Sequence, residues 1–270
     1  NTLIFAPLIF AGLLLEPAPF LRALAAFSLF SLTSSAGYIV NDIADRERDR
    51  LHPLKRGRPI AAGLVPGRVA LLAATALAAV ALPVAFRLSG AFGAILLVYL
   101  ALSVGYSLFL KRLPVVELAT VPLFYLGRVW AGALVLTVPL SVYLAATTYL
   151  GALVVAVAKR LQEEKLPPAA RGSVLVRYRT SALRTALFLS SAAALAAYGL
   201  WVIHIIQERS LAPLPLLGSI LFVALGLWQF VSRVATTRPY QDVEAVLWHP
   251  LLLATIAIWL VMVTLPFYVR

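Results

Sequence analysis

The chain has 270 residues, 62% of them hydrophobic and only 13% charged, with a mean hydropathy of +0.93. That balance excludes an ordinary soluble globular protein and describes an all-α, polytopic membrane protein. A formal charge of +12 points to anionic lipid headgroups and an anionic substrate rather than nucleic acid, and the absence of cysteine removes disulfides, thiolate metal sites and thiol catalysis.

Apolar runs broken by charge, Pro and Gly predict nine transmembrane helices in a single domain over residues 1–270. They run Thr2 to Leu15, Phe20 to Asp45, Arg68 to Arg87, Ala91 to Leu110, Val115 to Leu136, Leu140 to Gln162, Ser181 to Gln207, Leu214 to Val234 and Trp248 to Tyr268. The first run lacks a basic leader and a small-residue cleavage site, so it reads as a span rather than a signal peptide. Most of the 23 Lys and Arg residues fall in the loops after the second, fourth, sixth and eighth helices; Arg22, Arg87, Arg209 and Arg270 lie on the other side. The positive-inside rule then places the polar loops in the cytoplasm. The expected location is the cytoplasmic membrane of a prokaryote, with a polar cavity open to the cytosol.

Charge is densest in NDIADRERDRLHPLKRGRPIAAG, residues 41–63. Continued as a helix from the apolar run before it, this stretch puts Asn41, Asp45 and Asp49 at i, i+4 and i+8 with Asp42 among them, within about 100° of arc. Glu47 points away. Ordinary i to i+4 pairing would mix signs on every face, whereas here the acids cluster. Three carboxylates and an amide oxygen suit Mg²⁺, which commonly bridges carboxylates to substrate phosphates. Lys55, Arg56 and Arg58 follow, placed to take remaining phosphate charge.

Two further polar features end on the same side, and a third lies within a span. At the end of the sixth helix, in AKRLQEEK, Lys159 and Glu163 share a face with Arg160 beside them, offering cations for phosphate and a carboxylate for a sugar hydroxyl or second metal. GYSLFLKRLP brings Tyr106, Ser107, Lys111 and Arg112 to the end of the fourth helix. Arg128, deep in the fifth, is a functional candidate by its depth; Glu117, about 16 Å earlier on the same face, would line one cavity with it. His204 and His249 read as structural or interfacial, while His52 belongs to the charged stretch. Ser/His/Asp sets, zinc motifs and Walker loops are absent from the sequence.

NDIADRERD after a transmembrane helix resembles the first signature of the UbiA superfamily of intramembrane prenyltransferases, and the likeness extends over nearly the whole chain. HPLKRGRPIAAG, YSLFLKRLPVVELA, LGRVWAGA and AKRLQEE, with Arg171 and Tyr178 downstream, resemble its decaprenyl-phosphate phosphoribosyltransferase branch more closely. KRLQEEK stands where aromatic prenyltransferases carry a second D-x-x-x-D motif.

The resemblance implies a UbiA-type bundle and a Mg²⁺-dependent transferase that moves phosphoribosyl from phosphoribosyl pyrophosphate to a polyprenyl phosphate, releasing pyrophosphate. In that scheme Asp45, Asp49, Lys159 and Glu163 are catalytic; Asn41, Asp42, Asp45 and Asp49 hold metal. Lys55, Arg56, Arg58, Tyr106, Lys111, Arg128 and Arg160 bind substrate. Phe124, Tyr125 and Trp130 are the expected lining for the lipid tail. A homo-oligomer in the bilayer is compatible with this scheme. An aromatic prenyltransferase using a prenyl diphosphate, an anionic-solute transporter and a non-catalytic lipid-binding scaffold are the alternatives.

Overall fold

The computed structural model describes residues 1–52, 54–165, 178–209, 211–236 and 246–268. Among them every regular element is helical. The helices are α1 (Ala6–Phe10), α2 (Pro17–Ala44), α3 (Arg46–Leu51), α4 (Gly67–Leu88), α5 (Gly90–Leu108), α6 (Val116–Leu136), α7 (Val142–Glu163), α8 (Thr180–Arg209), α9 (Pro213–Thr236) and α10 (Pro250–Tyr268). Short 3₁₀ turns occupy Thr2–Phe5 and Leu110–Arg112.

Eight of these helices are long and apolar enough to cross a membrane, and they match eight of the nine predicted spans to within a few residues. Over the first predicted span, 2–15, the described helices are shorter than a bilayer crossing. Pro7 sits in the first turn of α1, the chain turns at Gly12 with φ +77°, and Pro17 opens α2. The segment packs against α6. Its backbone lies so close to α6 that a Cβ on Gly132 would sit 2.1 Å from the Ile4 carbonyl oxygen.

The helices present their apolar residues outward, as a bilayer solvent permits. On α4 the buried face is Ala70, Ala74, Ala81 and Ala85, while Leu71, Leu72, Val80 and Val84 are exposed. Lipid tails are as apolar as leucine, so small residues that let backbones approach decide the packing face. Helices α2, α4, α5 and α6 share one core around Phe30, Phe92, Leu96 and Tyr99. A second group, α7 to α10, packs around Val154, Leu187, Phe230 and Trp201. The groups meet where α6 lies on α7.

Alternation of the spans brings the ends of α2, α5 and α7 and the starts of α4, α6 and α8 to one end of the bundle. There α6 begins at Val115, whose φ of +66° and ψ of −49° are rare for a β-branched residue. The Val116 amide donates to Pro114 O at 2.7 Å, closing a tight γ-type turn. The Val115 amide donates to the Tyr178 hydroxyl at 2.6 Å, so the turn is held from the start of α8.

Candidate active site

The helical projection of the acidic stretch survives a bend. Asp45 leaves helical geometry (φ −96°, ψ 1°), yet its amide still donates to Asn41 O at 2.9 Å and its carbonyl accepts from the Asp49 amide at 2.8 Å. Asn41, Asp45 and Asp49 thus keep their common face through α2 and α3. Asp45 and Asp49 are buried, and Asp42 is partly exposed. Glu47 points out, with 77% of its side chain exposed, and pairs with Arg50.

The acids are met by cations from distant sequence. Lys111 Nζ lies 2.8 Å from Asp45 Oδ1 and 3.2 Å from Asn41 Oδ1. Arg58 Nη1 bridges Asp42 Oδ1 at 2.7 Å and Asp49 Oδ2 at 3.0 Å. Arg50 Nε donates to Ala61 O at 2.9 Å, folding the basic loop back over α3. Arg56 is exposed.

The α7 end faces this cluster. Arg160 donates one guanidinium nitrogen to Glu163 and another to Glu117, the first acidic residue of α6. Glu117 is 1% exposed, and its Oε1 is buried without a partner. Lys55 stands within charge reach of Asp49 on one side and of Lys159 and Glu163 on the other. Tyr106 lies within reach of Arg160, Glu117, Glu163 and Asp45 together, with its ring edge-on to Phe124. Lys55 and Lys159 have no ion-pair partner among the described residues. Burial and, next, the Lys159 charge hold Lys55 below the ordinary lysine pKa.

His52 is buried, its Nδ1 accepts from the Leu54 amide at 3.2 Å, and burial with the Lys55 charge lowers its pKa. It is therefore a neutral loop orienter. His204 pairs with Glu208 at 3.4 Å and stacks near Tyr143; His249 accepts from the Leu251 amide. Burial pushes the Tyr178 hydroxyl pKa up, so it remains protonated.

Two sequence expectations are corrected. Glu117 and Arg128 do not share a cavity: Glu117 turns to Arg160, while Arg128 donates to Asn1 Oδ1 at 2.8 Å, to Tyr99 Oη at 3.1 Å and to Phe124 O. Its guanidinium lies 5.4 to 5.5 Å from the ring centres of Phe30, Tyr99 and Tyr125. Arg128 thus ties α2, α5, α6 and the N-terminal segment together. The Glu117–Arg160 pair was legible in principle, because antiparallel α6 and α7 place the start of one beside the end of the other. Arg160 itself, expected at phosphate, is held between two carboxylates.

Of the expected tail lining, Phe124 packs inward against Tyr99 and Tyr106, while Tyr125 and Trp130 are exposed. A separate apolar cavity of about 270 Å³ opens between α7, α9 and α10, among Val155, Val223, Gly226, Phe230 and Trp259. Lys159 stands one turn, roughly 6 Å, beyond Val155 on α7. Arg171, which carried part of the family resemblance, lies outside the described residues.

The residues present fit a hard divalent cation by type: Asn41, Asp42, Asp45 and Asp49 supply only oxygen, and Asp49 Oδ1 is buried without a partner. Among the described residues no three acidic or histidine side chains converge on one ion-sized point. The reason is visible in the pairing, since Lys111 and Arg58 draw the four donors into two sets.

The sequence profile described as the UbiA prenyltransferase family matches residues 3–254. The chain is 40% identical over 180 residues, 65% of its length, to the decaprenyl-phosphate phosphoribosyltransferase of Mycobacterium tuberculosis strain H37Rv, and covers 59% of that protein. It is 36% identical over 179 residues to the protein of the same name from Mycolicibacterium smegmatis, covering 65% of this chain and 56% of that one. It therefore spans less than two thirds of the length of these relatives. Its fold is similar to a UbiA homolog from Archaeoglobus fulgidus bound to GPP and Mg²⁺, with a TM-score of 0.72 at 15% identity, covering 98% and 94% of the two chains. The apo UbiA homolog from Aeropyrum pernix K1 aligns with a TM-score of 0.69 at 19% identity, covering 98% and 97%. With the helical bundle, the acidic face ending α2 and a family match over most of its length, the chain belongs to the UbiA prenyltransferase family.

Proposed function

We propose that this chain is a Mg²⁺-dependent transferase that moves the phosphoribosyl group of phosphoribosyl pyrophosphate to a polyprenyl phosphate. The observation that carries the reading is the pair Lys55 and exposed Lys159, two cations within charge reach of each other beside an oxygen-rich acidic face and without an ion-pair partner among the described residues. Such a pair is unfavourable until a polyanion separates the charges. The name borne by the mycobacterial relatives supports the donor and acceptor.

Asn41, Asp42, Asp45 and Asp49 would hold the metal, which when bound supplies charge to the leaving pyrophosphate. Lys55, Lys159 and Arg58 take the outer phosphate oxygens, and Lys111 yields Asp45 and turns to the same group. As the bond from ribosyl C1 to the pyrophosphate oxygen breaks, negative charge grows on the leaving group, where these cations stabilise it more than in the ground state. Glu163 faces the developing positive charge on the ribosyl ring. A phosphate oxygen of the lipid forms the new bond to C1; it is already anionic, so no general base is required. The lipid's hydrocarbon chain lies in the cavity between α7, α9 and α10. The basic loops support a site open to the cytosol in the cytoplasmic membrane.

Transfer of a prenyl group to an aromatic acceptor is the second reading, favoured by the fold shared with a homolog bound to GPP and Mg²⁺. It requires a second acidic metal set after α7. There Glu163 is paired with Arg160, and Glu164 accepts from Thr180, which argues against it. The test is pyrophosphate release by purified protein with Mg²⁺, offering phosphoribosyl pyrophosphate with polyprenyl phosphate in one sample and a prenyl diphosphate with an aromatic acceptor in another. Release in the first alone, with ribosylated lipid recovered, supports the proposal; release in the second alone overturns it.

A further inference from the structure

Arg160 occupies an unusual position for a cation in a phosphate site. One of its guanidinium nitrogens is bound to Glu163 and another to Glu117. The three groups carry a net charge of about −1, since a guanidinium stays protonated. Glu117 is 1% exposed, with Oε1 unpartnered. A buried carboxylate with an unsatisfied oxygen costs stability, and its pull on the one guanidinium in contact is correspondingly strong. Around this group the cations Lys55 and Lys159 have no carboxylate partner among the described residues.

We infer that Glu117 is a positioning residue: it withholds Arg160 from the phosphate groups and keeps Arg160 and Glu163 turned to the sugar side of the site. Lys55 and Lys159 then carry the phosphate, and the negative triad faces the carbon at which positive charge develops. A further phosphate-bound cation, beyond Lys55, Lys159, Arg58 and Lys111, would tighten the pyrophosphate product along with the donor, which lowers turnover. Glu117 thus separates a polyol-facing pole from a phosphate-facing pole. This inference rests on the phosphoribosyl transfer proposed above; its test uses inorganic pyrophosphate, the leaving group of either reading.

The experiment measures Mg²⁺–pyrophosphate affinity and steady-state kinetics for wild type, Glu117→Gln and the double variant Glu117→Gln/Arg160→Gln in lipid nanodiscs. In Glu117→Gln the freed guanidinium nitrogen turns to phosphate, and pyrophosphate binds about tenfold more tightly, the size of one charge-assisted hydrogen bond. Donor KM and kcat fall together. The double variant returns pyrophosphate affinity to the wild-type value, because the gain acts through Arg160. A purely structural Glu117 would instead lower thermal stability and weaken pyrophosphate.

Should Glu117→Gln fail to fold, Glu163→Gln releases the same guanidinium from the more open side, where the side chain is 15% exposed, and the same tightening is expected. Unchanged or weaker pyrophosphate binding in the folded variant overturns the inference while leaving the proposed function standing. A wild-type protein that binds no Mg²⁺–pyrophosphate overturns the proposed function itself.

Discussion

Lys111 holds Asp45 across 66 residues of sequence, its Nζ 2.8 Å from Oδ1. The ammonium occupies the side of the acidic face that a metal would take. Lys111→Met should therefore lower the Mg²⁺ concentration needed for half-maximal pyrophosphate release several-fold, while kcat falls because a leaving-group cation is lost. A magnesium titration of turnover reads both; an unchanged half-saturation point would remove Lys111 from the competition.

Asp45→Asn and Asp49→Asn keep the side-chain volume but remove one carboxylate each from the face. Turnover should fall at least about 100-fold in either variant, the scale of losing one stabiliser of transition-state charge. Circular dichroism and elution volume should stay at wild-type values. Full activity in either variant would sink the metal assignment.

Lys55 gives a pH signature whose sign follows from its lowered pKa. Its folded-state pKa lies below the unfolded value, so protonated Lys55 destabilises the free protein at neutral pH, and that cost is relieved as pH rises through the folded pKa. Lys55→Met should raise the melting temperature near pH 7 and flatten the alkaline gain. Donor affinity moves oppositely: it depends on the charged form, so wild type should lose donor as pH rises, beginning below the ordinary lysine range. Lys159→Ala should weaken the donor and shift that limb to higher pH. Donor affinity and melting curves between neutral and alkaline pH test both halves.

Gly132 admits the close approach of the N-terminal segment. Gly132→Ala places a methyl 2.1 Å from the Ile4 carbonyl oxygen and should cost about 1–3 kcal/mol, as overpacking does. Gly151→Ala meets nothing within 4 Å and should be neutral or stabilising, since glycine is the poorer helix former. Melting temperatures in detergent discriminate the two.

Gly226 lines the apolar cavity, and a Cβ there meets only ordinary contacts with Thr255 and Leu252 at 3.8 and 3.9 Å. Gly226→Phe should fill the cavity. Turnover should fall with a long polyprenyl phosphate yet hold with a short-chain analogue; equal loss with both would place the tail elsewhere.

Eight spans and the acidic face at the end of α2 were legible from sequence because both rest on local periodicity: 20-residue apolar runs match a bilayer, and i, i+4, i+8 spacing fixes a helix face even through the bend at Asp45. The close approach of the N-terminal segment to Gly132 was not legible, because an apolar run carries no sign of which neighbour it packs against. Partnership was read from the sequence only within one helix. Hydropathy places Glu117, Arg128 and Arg160 in depth but not in azimuth, so Arg128, on the same helix face as Glu117, was expected to line one cavity with it. Packing of α6 against α7 chose Arg160 instead, and the aromatic core of α2, α5 and α6 claimed Arg128, because a buried charge is bound by whichever opposite charge or π-face the tertiary contacts bring within a few ångströms.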